Sequence, residues 1–112
     1  MKKNGLHINK SGTKCWYKDG LAHRDDGPAM IWPDGSNFWY KNGRLHRDDG
    51  PAIIYRDGAQ HWYKNGVCHR DYGPASIYCD GSQAWYKEGE EYEPSAHDLM
   101  VYKMHEKERI TH

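Results

Sequence analysis

The sequence predicts an all-β protein, a single elongated antiparallel β-meander of 23-residue hairpin repeats closed by a C-terminal helix. Three observations predict it. Trp16, Trp39, Trp62 and Trp85 recur every 23 residues, each followed by Tyr and Lys. Inside each interval an Asp-Gly pair separates two short runs of β-forming residues, the strongest short-range hairpin signal. Beyond Ser95 glycine and proline disappear and the pattern becomes helical.

The unit reads W-Y-K-x-G-x-x-H-R-D-x-G-P-A-x-I-x-x-D-G-x-x-x. Three full copies run from Trp16 to Ala84, and a fourth starts at Trp85 and decays into EEYEPSAHD. Ahead of the first, GLHINKSGTKC matches the tail of a unit, with Ile8 and Gly12 one period before Ile31 and Gly35. The hairpins are thus expected over residues 5–92, within one domain spanning 1–112. In PAIIYRDGAQHWYKNG, Asp57-Gly58 joins two strands, a pair suited to a two-residue type I′ loop, which needs positive φ at both central residues. Asn42-Gly43 and Asn65-Gly66 turn the chain after each W-Y-K strand. The R-D-x-G-P link then returns it, with proline at a strand entrance where its missing N–H costs nothing. With that loop, Ile53 lies opposite Trp62 and Ala52 opposite Tyr63, and the Trp and Tyr columns stand on opposite faces.

The last element is a helix over 95–109. Ser95 is its N-cap with Asp98 three positions on, and Ala96, Leu99, Met100 and Lys103 share one stripe. A hairpin array ends in unpaired edge and unburied core, so the helix is read as a cap; a partner-binding helix is the alternative.

Composition supports an aromatic core. Leu, Ile, Val and Phe number only thirteen, but five Trp and nine Tyr supply large buriable surfaces of roughly 150–250 Å² each. The 16 basic and 16 acidic residues cancel, which argues against a general nucleic-acid binder. Cys15, Cys68 and Cys79 are odd in number and scattered, fitting reduced thiols better than a disulfide framework or zinc site. The start lacks the apolar core of a secretory signal and no stretch approaches membrane-spanning length, so a cytoplasmic protein is expected.

The pattern W-Y-K-N-G-x-x-H-R-x-D/Y-G-P-A-x-I-Y-x-D-G resembles the MORN repeat, especially its bacterial and viral variant, over about residues 5–90. The resemblance implies one β-hairpin per repeat in a single curved sheet. It also implies a protein-interaction scaffold, with antitoxin-like roles for the variant class. The H-R-D-x-G-P link departs from the more glycine-rich link of the commoner unit.

That link carries the residues most suggestive of chemistry: His23, Arg24 and Asp25; His46, Arg47 and Asp48; His69, Arg70 and Asp71. A kinase reading of H-R-D fails for want of a glycine-rich phosphate loop, a strand lysine and D-F-G. Equivalent histidines in neighbouring hairpins are two strands, roughly 10 Å, apart, so one zinc ion with ligands at ~2 Å cannot gather them. Catalysis by His and Asp is chemically open, but a motif written three times suits a repeated connection better than one pocket. The link is therefore read as architecture: Asp accepts backbone N–H bonds, Gly takes positive φ, Pro launches a strand, and Arg pairs with Asp. No catalytic residue, metal or cofactor is expected.

For binding, the expected surface is an aromatic strip of Trp16, Trp39, Trp62 and Trp85 with Trp32, Tyr55 and Tyr78, rimmed by Lys41 and Lys64. Such a strip suits a protein partner: a toxin, defence or host protein that this module sequesters or inhibits. The alternative is a single-stranded nucleic acid or nucleotide, with bases stacked on the rings and lysines on phosphates. The same strip would also serve as core beneath the cap or against a second copy in a homodimer.

Overall fold

The repeat appears in the computed structural model as hairpins that pair edge to edge along an axis of 51 Å, against 27 and 24 Å across. Residues 1–111 are described, with side chains described through Glu106. The order is β1 (Gly5–Ile8), β2 (Lys14–Lys18), β3 (Leu21–Ala22), β4 (Met30–Ile31), β5 (Asn37–Phe38), β6 (Tyr40–Lys41), β7 (Arg44–Leu45) and β8 (Ile53–Ile54). It continues with β9 (Gln60–His61), β10 (Tyr63–Lys64), β11 (Val67–Cys68), β12 (Ser76–Ile77), β13 (Gln83–Ala84), β14 (Tyr86–Lys87), β15 (Glu90–Glu91) and α1 (Ala96–Thr111). The main sheet runs β1-β2-β4-β5-β8-β9-β12-β13, all antiparallel, with β3 on β2. The ribbons β6–β7, β10–β11 and β14–β15 leave it sideways, one per unit. The fold is an all-β meander of hairpins with one C-terminal helix.

The two turns of each unit exchange the roles expected of them. The type I′ turn sits at Asn42-Gly43, with φ of 50° and 80° and Lys41 paired with Arg44. Asp57-Gly58 is instead a three-residue loop: the Gly58 N–H donates to Tyr55 O and the Tyr55 N–H to Ala59 O, both at 2.9 Å. Gly58 alone takes positive φ, 94°, because the Asp57 carboxylate accepts the Ala59 N–H at 2.9 Å and closes the turn itself.

One additional loop residue shifts the register by one, and a one-residue shift moves side chains to the other face. Ile53 faces His61 and Ile54 faces Gln60, not the expected pairing of Ile53 with Trp62 and Ala52 with Tyr63. Tyr55, two residues beyond Ile53, therefore shares its face with His61. Gln60, Trp62 and Lys64 line the opposite, concave side together with Ile54.

Beside each tryptophan strand the core is made of alanine. Ala29, Ala52 and Ala75 have no exposed surface, and their carbonyls accept the N–H of Trp16, Trp39 and Trp62 at 2.7–2.8 Å. A larger side chain would part the strands at that contact.

The helix is capped reciprocally: the Asp98 N–H donates to Ser95 Oγ at 3.1 Å and the Ser95 N–H to Asp98 Oδ2 at 2.9 Å. It does cap the repeats, but not by the expected stripe. Leu99, Met100 and Met104 are exposed. Contact is made by Tyr102, edge-on to Trp85 at 5.7 Å, and by His105, stacked on Tyr72 at 5.0 Å. Glu106 approaches Arg70 at 4.0 Å. Aromatic surface at the end of the array selects aromatic partners, so the aliphatic stripe turns outward. We predict that Tyr102→Ala lowers unfolding stability by about 2 kcal/mol. Leu99→Ala and Met104→Ala should each change it by less than about 0.5 kcal/mol, as urea titrations will measure.

Candidate functional site

Each unit has a concave side, carrying the His-Arg-Asp link and the Trp ring, and an opposite side carrying Tyr rings. On the concave side every letter of HRDDGPA has a structural partner. The Asn42 N–H donates to His23 Nδ1, Asn65 to His46 and Glu88 to His69, at 2.9–3.0 Å. Each bond joins one unit to the turn of the next. Because Nδ1 accepts, the proton of the neutral ring lies on Nε2, which donates to Asp25, Asp48 or Asp71 at 2.6–2.9 Å. Beside it the Gly43, Gly66 and Gly89 N–H groups donate to Ala22, Leu45 and Cys68 carbonyls at 2.8 Å, so each turn is held at two points. At the N-terminal end Asn4 does the work of a histidine, its Oδ1 accepting the Asp19 N–H at 2.9 Å.

The arginine covers the tryptophan ring. Arg24, Arg47 and Arg70 place their guanidinium carbons 3.8–4.0 Å from the ring centroids of Trp16, Trp39 and Trp62. Their Nη1 atoms donate to the carbonyls of Pro28, Pro51 and Pro74 at 3.1–3.2 Å. Asp26 and Asp49 hold the Nε of Arg24 and Arg47 at 3.0 and 3.3 Å. Glycine follows because the guanidinium occupies its side-chain space. A Cβ on Gly50 would stand 3.0 Å from Arg47 Cζ, and one on Gly73 2.8 Å from Arg70 Cζ. Positive φ is needed only at Gly73, and the link carboxylates bond side chains, whereas the turn-closing role expected of them belongs to Asp34, Asp57 and Asp80.

Tyr72 breaks the HRDDGPA pattern because the cap claims its position: it stacks on His105 while Arg70 meets Glu106. In the fourth unit Tyr92 and Glu93 replace His and Arg, and Trp85 is covered by Tyr92 and Tyr102 instead.

The expected strip is thereby split. Trp39 lies beneath Arg47 and Trp62 beneath Arg70, Trp62 and Trp85 are buried, and Lys41 and Lys64 are bound to Asp48 and Asp71 at 3.4 and 3.3 Å. Trp32, Tyr55 and Tyr78 stand on the other face, 43, 40 and 43 % exposed. Phe38 and His61, which vary between copies at the place before each tryptophan and lay outside the expected strip, alternate with them: Trp32–Phe38 6.1 Å, Phe38–Tyr55 5.7 Å, Tyr55–His61 5.7 Å and His61–Tyr78 5.6 Å. Burial pushes the Tyr40 and Tyr63 phenols up and the His61 imidazole down, and His61 Nδ1 is within 2.8 Å of Ser76 Oγ. Among the described residues no group of three or more His, Cys, Asp or Glu is placed to hold a metal ion. Cys15, Cys68 and Cys79 are free, and burial raises the Cys68 thiol.

These observations define a hairpin-repeat protein with a hydrogen-bonded link face, whose aspartates stay exposed, and an aromatic face opposite. No family model matches the chain, and no curated protein or solved structure matches it. No helix among the described residues is long and apolar enough to cross a membrane.

Two predictions follow from the link. Arg47→Lys and Gly50→Ala should each cost about 1–2 kcal/mol, the first by losing the guanidinium over the ring and the second by displacing it, read from thermal and urea unfolding. Acid should act in two steps. The unfolded chain protonates His61 below about pH 6.5 while the folded chain resists, so stability falls as pH drops from there. Asp48 and Asp71 are held below the usual carboxylate range by the His46 and His69 donors. Their contribution is complete above about pH 4 and is lost as pH falls further. His61→Gln should abolish the first step and keep the second, in urea midpoints measured against pH.

Proposed function

We propose that this chain is a non-enzymatic protein-binding repeat module that sequesters or inhibits a partner protein through the face bearing Trp32, Tyr55 and Tyr78. The observation that carries the reading is the exposure of three large rings, from successive units, on one face. On the other face His46 accepts the Asn65 N–H of the next unit and donates to Asp48, while Arg47 lies over Trp39. Catalysis needs a group free to meet a substrate, and a ring locked between a turn N–H and a carboxylate is a positioning element. The rings on the open face are held edge to face by Phe38 and His61, so little side-chain freedom is lost on binding. Following the MORN resemblance, the partner is a toxin, defence or host protein, met in the cytoplasm in an antitoxin-like or viral-inhibitor role.

A nucleic-acid partner is less favoured because Lys41 and Lys64 are paired with aspartates and the open face is bordered by Asp34, Asp57 and Asp80. Affinity capture from lysate should recover a stoichiometric protein that the Trp32→Ala/Tyr55→Ala double variant loses while it still unfolds in one cooperative transition. Capture that survives the double variant, or fluorescence quenching by oligonucleotides at low salt, would overturn the reading.

A further inference from the structure

We propose that the aromatic strip binds a proline-rich segment in the polyproline II conformation, carrying Lys or Arg at every third position. This deepens, and rests on, the protein-binding reading. Trp32, Tyr55 and Tyr78 occupy equivalent places in units whose strands alternate across the sheet, so successive exposed rings are two strands, roughly 9.6 Å, apart. A polyproline II helix rises ~3.1 Å per residue with three residues per turn, a repeat of about 9.3 Å. The two periods agree, and extended peptides of this kind are read by aromatic-lined surfaces. An α-helix, with a pitch of ~5.4 Å, does not keep step with the rings.

The strip is corrugated in the manner such a ligand needs. The half-buried Phe38 and His61 lie between the exposed rings and meet Tyr55 at 90° and 82°, which leaves apolar steps between ridges. A polyproline II backbone makes no internal hydrogen bonds and offers its carbonyls to a partner. Tyr40 and Tyr63 lie close enough to Tyr55 to sense its charge, and their phenol O–H groups can donate to such carbonyls.

Charge selects among proline-rich segments. Asp34, Asp57 and Asp80 follow Trp32, Tyr55 and Tyr78 by two residues, so a carboxylate recurs beside the strip with the same period. Each spends Oδ1 on its own turn, at 2.8–2.9 Å from the N–H of Ser36, Ala59 and Ser82. Those bonds hold Asp34 and Asp80 below the usual carboxylate range, so both are ionised at neutral pH. Arg56 is the one basic residue in these three turns, against three aspartates, and the rim is net acidic. One cation per turn of ligand would meet one carboxylate per unit of protein. The same row disfavours a polyphosphate, and a neutral glycan would leave it unused.

The test is titration of the whole chain with synthetic peptides of repeated Pro-Pro-Arg, Pro-Pro-Glu and Gly-Gly-Arg triplets, followed by NMR. Pro-Pro-Arg should shift the signals of Trp32, Phe38, Tyr55, His61 and Tyr78, and bind more weakly as salt rises. Tyr55→Ala and Asp57→Asn should each weaken it about tenfold while each variant still unfolds in one cooperative transition and keeps its NMR dispersion away from the strip. Equal binding of Gly-Gly-Arg, shifts confined to the Trp62 side, or no binding of Pro-Pro-Arg would overturn the proposal. A captured protein that depends on Tyr55 while Pro-Pro-Arg fails to bind would leave the protein-binding reading standing and remove this one alone.

Discussion

The arginine laid between a tryptophan ring and a glycine is the constraint from which most of the repeat follows. A guanidinium is planar and weakly hydrated, so it can cover an indole, bond a backbone carbonyl along its edge and still present Nε to a carboxylate. Arg47 does all of these, over Trp39, to Pro51 and toward Asp49. Once it is seated against the link, a Cβ three residues on, at Gly50, would press on it at 3.0 Å and displace it. Gly50 is there for space and not for turn geometry. The proline that follows supplies the carbonyl and begins the next strand, and the alanine after it lets that strand approach the tryptophan backbone. Five residue choices thus follow from one stacked cation.

The histidine answers a different problem, which is how two-stranded ribbons as short as β6–β7 stay in place. An isolated hairpin of this length is marginal in water. Each ribbon turn is fastened to the preceding unit through an imidazole acceptor and a backbone carbonyl, so stability is shared between neighbours as in other stacked repeats. The ends need substitutes. Asn4 provides the acceptor at one end, while Tyr92, Tyr102 and His105 cover the rings at the other. Tyr72, the residue that breaks the repeat, is the one the cap stacks on.

What was legible in the sequence depended on whether the signal was local or cooperative. The 23-residue period, the strands, the Asn-Gly turns and the Ser95–Asp98 cap could be read because each is set by a few neighbouring residues. The face of the binding strip could not, because it turns on whether Asp57-Gly58 closes in two residues or three. An Asp that caps its own turn decides that. The difference of one residue carried Tyr55 away from Trp62 and beside His61. The capping stripe was missed for a related reason: aliphatic periodicity marks apolar surface, but the end of this array offers aromatic rings and an arginine, which Tyr102 and Glu106 meet better than Leu99.

The division between faces bears on how such a chain can change its partner. Substitutions in the link disturb a bond to the next unit, so their cost is paid in stability wherever they fall. The open face is different. Trp32, Tyr55 and Tyr78 are equivalent by position yet not identical, and Phe38, His61 and Ala84 differ more widely at the matching place before each tryptophan. These side chains rest on a backbone that the link has already determined, so exchange costs least at the more exposed Trp32, Tyr55 and Tyr78 and more at the half-buried Phe38 and His61 and the buried Ala84. A sheet so built keeps its ring spacing while the rings themselves vary, which separates the period a ligand must match from the chemistry it meets at each step.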